Sequence, residues 1–218
     1  NVRDFRTTHT GSPRGLFCGM GACYDCLIEI DGIPNQRACM TAVQRNSRVR
    51  RQIFLASSDK YSTIPPDLDP RKQSESPDIL IIGGGAAGLN AAALSGEAGA
   101  KVVLIDERPL PGGQFFKQPL PLISGRIEDD SQYRGGRRLI RRATEAGVTF
   151  FQGTVWGIFS PLEVSALVDG IHIVFRPKKL IVATGAYEKS FPVPGWTLPG
   201  VMTTGAAQTM LRSYGVLP

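Results

Sequence analysis

Asp78-Ile79-Leu80-Ile81-Ile82-Gly83-Gly84-Gly85-Ala86-Ala87-Gly88-Leu89 is the stretch on which the fold turns. Five residues of strand character, Asp78 to Ile82, run into a glycine turn, and small residues from Ala86 to about Ala98 continue it as a helix. Gly83 to Gly88 matches G-x-G-x-x-G, and this strand–turn–helix context is what the motif's mechanism requires. Gly83 makes the tight turn, Gly85 lets a pyrophosphate approach the backbone, and Gly88 packs helix on strand. Phosphates would sit at the helix N-terminus, by Ala86 and Ala87, where free N–H groups and the helix dipole favour anions. Lys101 to Ile105 reads as a second strand. Its continuous β-branched run suits burial on both faces of a parallel sheet. Asp106 ends that strand about 20 residues after the turn, where a carboxylate accepts from ribose hydroxyls, with Glu107 as its neighbouring candidate. A glycine-rich turn in an ordinary α/β protein is the plain alternative. The turn alone leaves FAD and NAD both open.

Outward from this unit the chain keeps alternating. Arg134, Arg137, Arg138, Arg141 and Arg142 share one face of a helix ending near Gly147, and Leu139, Ile140, Ala143 and Ala146 form the other. The basic face reads as a solvated surface, or else as a docking face for an acidic partner. Thr154–Phe159, Leu162–Val168 and Ile171–Phe175, split by Ser-Pro and Asp-Gly, predict an antiparallel meander. Lys179 to Ala183 predicts a further buried strand, and Thr204 to Ser213 a last helix. Residues 58–76, rich in Pro, Ser and charge, read as a linker. Three parts follow: 1–57 with the cysteines, the linker 58–76, and an α/β dinucleotide-binding domain over 77–218. Both ends read as cut.

The four cysteines follow the spacing Cys18-x4-Cys23-x2-Cys26-x12-Cys39. Three on one tight loop and a distant fourth is the plant-type arrangement for a [2Fe-2S] cluster. Gly19 and Gly21 allow the loop positive φ and let it aim N–H groups at sulfur. Leu27–Ile30, the Asp31-Gly32 turn and the strand from Ile33 return the chain to Cys39. Zinc is the alternative, although structural zinc favours two separated Cys-x2–4-Cys knuckles. Disulfides are the remaining one.

Pro13-Arg14-Gly15-Leu16-Phe17-Cys18-Gly19-Met20-Gly21-Ala22-Cys23-Tyr24-Asp25-Cys26, followed by Asp31-Gly32 and Arg37-Ala38-Cys39, resembles one ferredoxin-like domain. It is that of the hydrogen cyanide synthase, opine oxidase and proline or hydroxyproline dehydrogenase family. The resemblance implies that Cys18, Cys23, Cys26 and Cys39 ligate a [2Fe-2S] cluster on a β-grasp domain shortened at its N-terminus. Arg108-Pro109-Leu110-Pro111-Gly112-Gly113-Gln114 resembles the Gly-Gly segment of two-dinucleotide-domain flavoproteins. Leu180-Ile181-Val182-Ala183-Thr184-Gly185-Ala186 resembles their second flavin motif. Both imply FAD, with Gly112, Gly113, Gln114, Ala183, Thr184 and Gly185 beside it and the backbone of Val155 at the adenine. Phe191-Pro192-Val193-Pro194-Gly195-Trp196 through Val201, then Gly205-Ala206-Ala207-Gln208, resembles the same family's flavoprotein subunits. There a second Rossmann insert, able to take NAD(P), begins soon after this point.

A net charge of +6 and a pI near 9.4 permit nucleic-acid or membrane-surface binding. Aromatics do not interleave with the basic stripe as a base-stacking surface needs, so no nucleic-acid partner is expected. No apolar run is long enough for a transmembrane segment. His9 lies in a polar arm and His172 in a meander strand, so no Ser-His-Asp or Cys-His set supports hydrolysis. The expectation is a flavin- and [2Fe-2S]-dependent oxidoreductase acting on an amine or amino-acid-like small molecule, such as an opine, glycine, proline or hydroxyproline. It would work in a hetero-oligomer with a second flavoprotein dehydrogenase subunit. The competing readings are an NAD(P)H-linked flavin reductase feeding the cluster, and a non-catalytic electron carrier or scaffold. Because a labile cluster suits a reducing interior, the expected location is cytoplasmic, with peripheral attachment to the inner membrane through a partner as a further option.

Overall fold

The computed structural model describes residues 3–41, 44–53, 73–121, 123–126, 129–189 and 191–217. It divides into two units, one formed by Pro65–Ala186 and one assembled from Asn1–Ile64 together with Tyr187–Pro218.

In the cysteine unit, β1 (Arg6–Thr7) and β2 (Pro13–Arg14) form a two-stranded ribbon, and β3 (Leu27–Ile30) lies between β4 (Ile33–Arg37) and β5 (Val49–Arg51). The β3–β4 hairpin turns on Asp31 and Gly32, both at positive φ (53° and 83°). That is the conformation a two-residue hairpin loop needs to match strand twist, and Asp-Gly supplies it. Gln52 ties the ribbon to the sheet: its carbonyl accepts from Thr7 N–H and its N–H donates to the Phe5 carbonyl.

The second unit is a seven-stranded sheet of order β12-β7-β8-β9-β10-β11-β6. Its strands are β6 (Gln73–Glu75), β7 (Ile79–Ile82), β8 (Val102–Asp106), β9 (Thr149–Phe159), β10 (Glu163–Val168), β11 (Ile171–Phe175) and β12 (Lys179–Val182). The β12, β7, β8 and β9 run is parallel; β9, β10 and β11 form the expected antiparallel meander. Helices α1 (Ala86–Glu97) and α2 (Ser131–Glu145) belong to the same unit. The pleat divides the core between two faces. Ile81, Val102 and Leu104 meet Leu89, Ala92 and Ala93 of α1 and Leu139 and Ala143 of α2. Leu80, Ile82, Val103 and Ile105 meet the meander through Val164, Ala166, Val168, Ile173 and Phe175. Thus β7 and β8 are buried on both sides, which is why their sequences are apolar without alternation. Asp130 caps α2, accepting from Tyr133 N–H at 2.9 Å.

Two features differ from the sequence reading. Gln73–Glu75, at the end of the expected linker, is a strand paired in parallel with β11. Its ladder is made by backbone groups alone, so the polar side chains gave no sign of it. Residues 58–72 of that linker lie outside the described residues. The second difference concerns the end of the chain. Helix α3 (Thr204–Tyr214) forms as expected, capped by Thr203 and stopped by Gly215 at φ 64°. Although it follows the nucleotide-binding elements in sequence, it packs with the cysteine unit. Thr203 N–H donates to the Phe17 carbonyl at 3.0 Å, and the Trp196 ring stands edge-on to Phe17 with centroids 5.1 Å apart.

Candidate functional site

Cys18, Cys23, Cys26 and Cys39 come together in space. All four are free thiols, and all but Cys23 are buried. Their thiols lie close enough to shift one another's ionisation, Cys18 with Cys23 and Cys39, and Cys39 with Cys26. As expected, the loop glycines Gly19 and Gly21 take positive φ, and Tyr24 joins them at 59°. Two loop amides turn inward: Met20 N–H reaches the Cys18 sulfur at 3.5 Å and Asp25 N–H the Cys23 sulfur at 3.4 Å. Arg37 steadies the loop from β4, donating to the Gly21 carbonyl at 3.1 Å with its guanidinium over the Tyr24 ring.

Bonds from Cys23 and Cys39 draw the Cys18 thiol well below its ordinary value. Those same contacts, with burial, push Cys23 and Cys39 up, while the bond to Cys39 lowers Cys26. Neighbouring thiolates repel, so four such groups ionise together only around cationic metal. Three cysteines on one loop with a distant fourth suit two irons better than one tetrahedral zinc, which favours two separated knuckles. The donor set fits a [2Fe-2S] cluster.

One charged group here was not read from sequence. Asp25, between Cys23 and Cys26, is buried, and Arg6 and Arg14 of the ribbon reach its carboxylate at 3.2 and 3.6 Å. Burial raises its pKa and the two arginines oppose that rise. Only its place inside the Cys-x2-Cys interval could have signalled it.

The dinucleotide motifs also assemble. Gly83 adopts φ 105°, and a Cβ there would strike the Ala183 carbonyl and come within 3.1 Å of the Thr184 Cα. The second flavin motif therefore abuts the first. A Cβ on Gly88 would collide with the Gly83 carbonyl, which is the close helix–strand packing expected of it. Gly112 N–H donates to the Gly84 carbonyl at 2.7 Å, bringing the Gly-Gly segment onto the turn. Gly85, the residue before α1, has no side-chain cap, and the first turn carries no acid. The N–H groups at Ala86, Ala87 and Gly88 precede the first intrahelical bond, from Leu89 N–H to the Gly85 carbonyl at 2.9 Å. This bare glycine cradle under a helix N-terminus fits a dinucleotide pyrophosphate.

Asp106 lies where expected, at the end of β8. Its Oδ2 accepts from Gly84 N–H at 2.5 Å and its Oδ1 from Arg108 N–H at 2.7 Å. Each oxygen keeps a second lone pair for a hydroxyl donor. Burial raises the Asp106 pKa against the pull of these two bonds. Glu107 stands half-buried beside it. Gln114 is engaged by the buried Lys117, whose ammonium meets both the Gln114 carbonyl and its Oε1. Val155 is on β9 opposite Ala166, next to Trp156, which the β10 register skips. Gly185 takes φ 70° beyond β12.

On α2 most of the basic face is answered within the chain. Arg137 pairs with Asp129 at 2.7 Å, Arg141 with Glu145 at 3.8 Å and Arg142 with Glu97 at 2.6 Å.

Comparisons with known proteins agree with this geometry. A family model for the 2Fe-2S iron-sulfur cluster binding domain matches residues 1–53, and one for pyridine nucleotide-disulphide oxidoreductases matches residues 77–213. An opine oxidase subunit of Rhizobium meliloti (strain 1021) is 40% identical over 144 residues, covering 65% of this chain and 31% of its own. The HcnB subunit of hydrogen cyanide synthase from Pseudomonas aeruginosa is 35% identical over 64% of this chain and 31% of its own. The alpha subunit of sarcosine oxidase from Corynebacterium sp. (strain P-1) is 30% identical over 94% of this chain and 23% of its own. The chain thus spans less than a third of the length of these relatives. In fold it is similar to L-proline dehydrogenase from P. horikoshii, with a TM-score of 0.73 and 21% identity over 99% of this chain and 41% of that one. No helix among the described residues is long and apolar enough to cross a membrane. A cysteine site fit for [2Fe-2S] and a glycine cradle fit for FAD lie in the two stretches that these family models match, and the chain belongs to the pyridine nucleotide-disulphide oxidoreductase family, with a 2Fe-2S domain ahead of its nucleotide-binding unit.

Proposed function

We propose that this chain is the FAD- and [2Fe-2S]-holding part of an oxidoreductase that oxidises a CH–NH or CH–NH2 donor, an amine or amino-acid-like molecule. The observation that carries the reading is the presence of both sites in one chain, with opine oxidase, hydrogen cyanide synthase and sarcosine oxidase subunits as its relatives. Bound FAD supplies acceptance of an electron pair and the cluster supplies carriage of single electrons.

The chain's own residues hold and shield. Cys18, Cys23, Cys26 and Cys39 ligate the cluster as thiolates, and Met20 and Asp25 N–H groups soften the charge on two of the sulfurs. Amides at Gly85, Ala86, Ala87 and Gly88 take the pyrophosphate, with Gly83 setting the turn. Asp106 and Glu107 accept from ribose hydroxyls. Gly112, Gly113 and Gln114 border the cofactor, Val155 backbone meets the adenine, and Ala183, Thr184 and Gly185 line the flavin side. The proposed order along the chain is a cluster domain over 1–57, a linker over 58–76 and an FAD domain over 77–218, whose last segment, from Tyr187, packs with the cysteine unit. The proposed partner is a second flavoprotein, since the relatives are themselves named as subunits. The reducing cytoplasm is the proposed location.

The full-length protein, purified anaerobically, tests this. Two irons, two sulfides and one FAD per chain are expected, with flavin bleaching by one of sarcosine, glycine, proline, hydroxyproline or an opine once the partner is present. Zinc without sulfide, or no bleaching by any amine, overturns it. The family's pyridine-nucleotide members favour a second reading, a flavin reductase driven by NAD(P)H. Bleaching by NADH alone would select that one.

A further inference from the structure

We propose that helix α3 and its lead-in form a lid that sets the environment of the cluster, with Tyr214 and Thr203 as positioning residues for two of its ligands. The inference rests on the cluster reading given above and goes beyond it, because these residues lie roughly 165 to 175 positions past the last cysteine.

Tyr214, at the end of α3, donates its hydroxyl to the Cys39 carbonyl at 2.9 Å. At the other end, Thr203 N–H donates to the Phe17 carbonyl at 3.0 Å, and its Oγ1 lies 3.5 Å from the Cys18 carbonyl. A third cysteine carbonyl, that of Cys26, is held by Ala38 N–H at 3.0 Å. Thus α3 and its cap supply partners for two ligand carbonyls from outside the cysteine loops. A bond that fixes a peptide plane fixes the dipole beside the sulfur, and a cluster's potential answers to such dipoles and to solvent exposure.

The helix also seals the loop. A Cβ on Gly19 would come within 2.6 Å of the Ala206 Cα and 2.9 Å of its Cβ, so the ligand loop packs directly on the helix and leaves no room for a side chain at Gly19. Ala206 is fully buried, and Met20 reaches towards Gly205. Glu188 secures the approach, accepting from Gly205 N–H at 2.7 Å. Cys18, Cys26 and Cys39 are each less than 5% exposed. A lid in backbone contact limits solvent access on the Cys18 side, while Cys23 alone of the four stays partly exposed.

The test compares the full-length protein with Tyr214→Phe and Ala206→Leu. Tyr214→Phe removes one hydrogen bond with little change in volume. It is expected to keep full iron, sulfide and FAD while shifting the cluster's midpoint potential and electron paramagnetic resonance signal. Bleaching by a chelator should quicken by about five- to tenfold, the effect of one lost hydrogen bond. Ala206→Leu, which forces the helix off Gly19, should bleach faster still, and air should destroy its cluster within the preparation. Variants matching the unaltered protein in potential, spectrum and bleaching rate overturn the lid while leaving the function standing. An unaltered protein without iron and sulfide overturns both.

Discussion

Gly113 stands so close to Gly85 that a Cβ on Gly113 would lie 2.6 Å from the Gly85 Cα. Two segments nearly thirty residues apart are thereby pinned backbone to backbone. Gly113 also takes φ 65°, which costs an L side chain about 1–2 kcal/mol. Gly113→Ala should therefore widen the cradle and weaken FAD binding by about five- to thirtyfold, given that strain. Iron content should stay unchanged. Flavin released per chain, measured beside iron, checks it; equal FAD retention would show that the contact is not needed.

Asp106 gives a pH signature. Burial raises its carboxyl above the ordinary value despite two backbone donors. The folded chain therefore binds that proton more readily than the unfolded chain. Its stability contribution falls as pH rises from the ordinary carboxylate range through the raised value, and then levels. Denaturant titrations of cofactor-free protein across that window should show this slope, and Asp106→Asn should lack it. FAD affinity should run the other way, weakening on acidification, because protonation removes the charge that strengthens the bonds from ribose hydroxyls.

The Arg6–Asp25 pair is enclosed, each side chain being only 11% exposed. Arg6→Leu leaves a buried carboxylate with Arg14 alone, at 3.6 Å. Breaking one side of a buried pair costs about 3–5 kcal/mol, and the partial answer from Arg14 places the expected loss near 2–3 kcal/mol. Differential scanning calorimetry should show the cysteine unit melting earlier, with the nucleotide-binding transition unmoved.

Glu97 and Arg142 make the opposite case. Their bidentate contact joins α1 to α2 at 2.6 and 2.7 Å, and each shifts the other's pKa towards the charged form. Both stand in solvent, where water and salt screen the attraction. Glu97→Gln should leave the melting temperature unchanged within error at physiological salt. A clear drop would mean that the pair locks the helices together.

Legibility followed the physical origin of each feature. Strand, glycine turn and helix at 78–98 were readable because steric demands at Gly83 and Gly88 leave few other residues. The β3–β4 turn was readable because Asp31-Gly32 suits the positive φ of such loops. Strand β6 was not, since a ladder at a sheet edge needs no particular side chains. Asp25 was hidden because a charged residue on a loop ordinarily faces water, and only the ribbon's two arginines let it turn inward. Chain order likewise could not show that α3 packs with the cysteine unit, because the contact needs only a glycine facing an alanine, a pair that many loops and helices offer.

A ribosome meets this arrangement as a problem of timing. The cysteines precede the sheet, yet Thr203, Ala206 and Tyr214 follow only after all of its described strands, β6 to β12, have been made. At about 5–20 residues per second, the thiols wait roughly ten to forty seconds without their covering helix. A cluster-delivery apparatus would find the loop open throughout that interval and closed after it. With the lid proposed above, loading during synthesis and repair of a damaged cluster in the finished protein become different reactions, the second calling for α3 to lift.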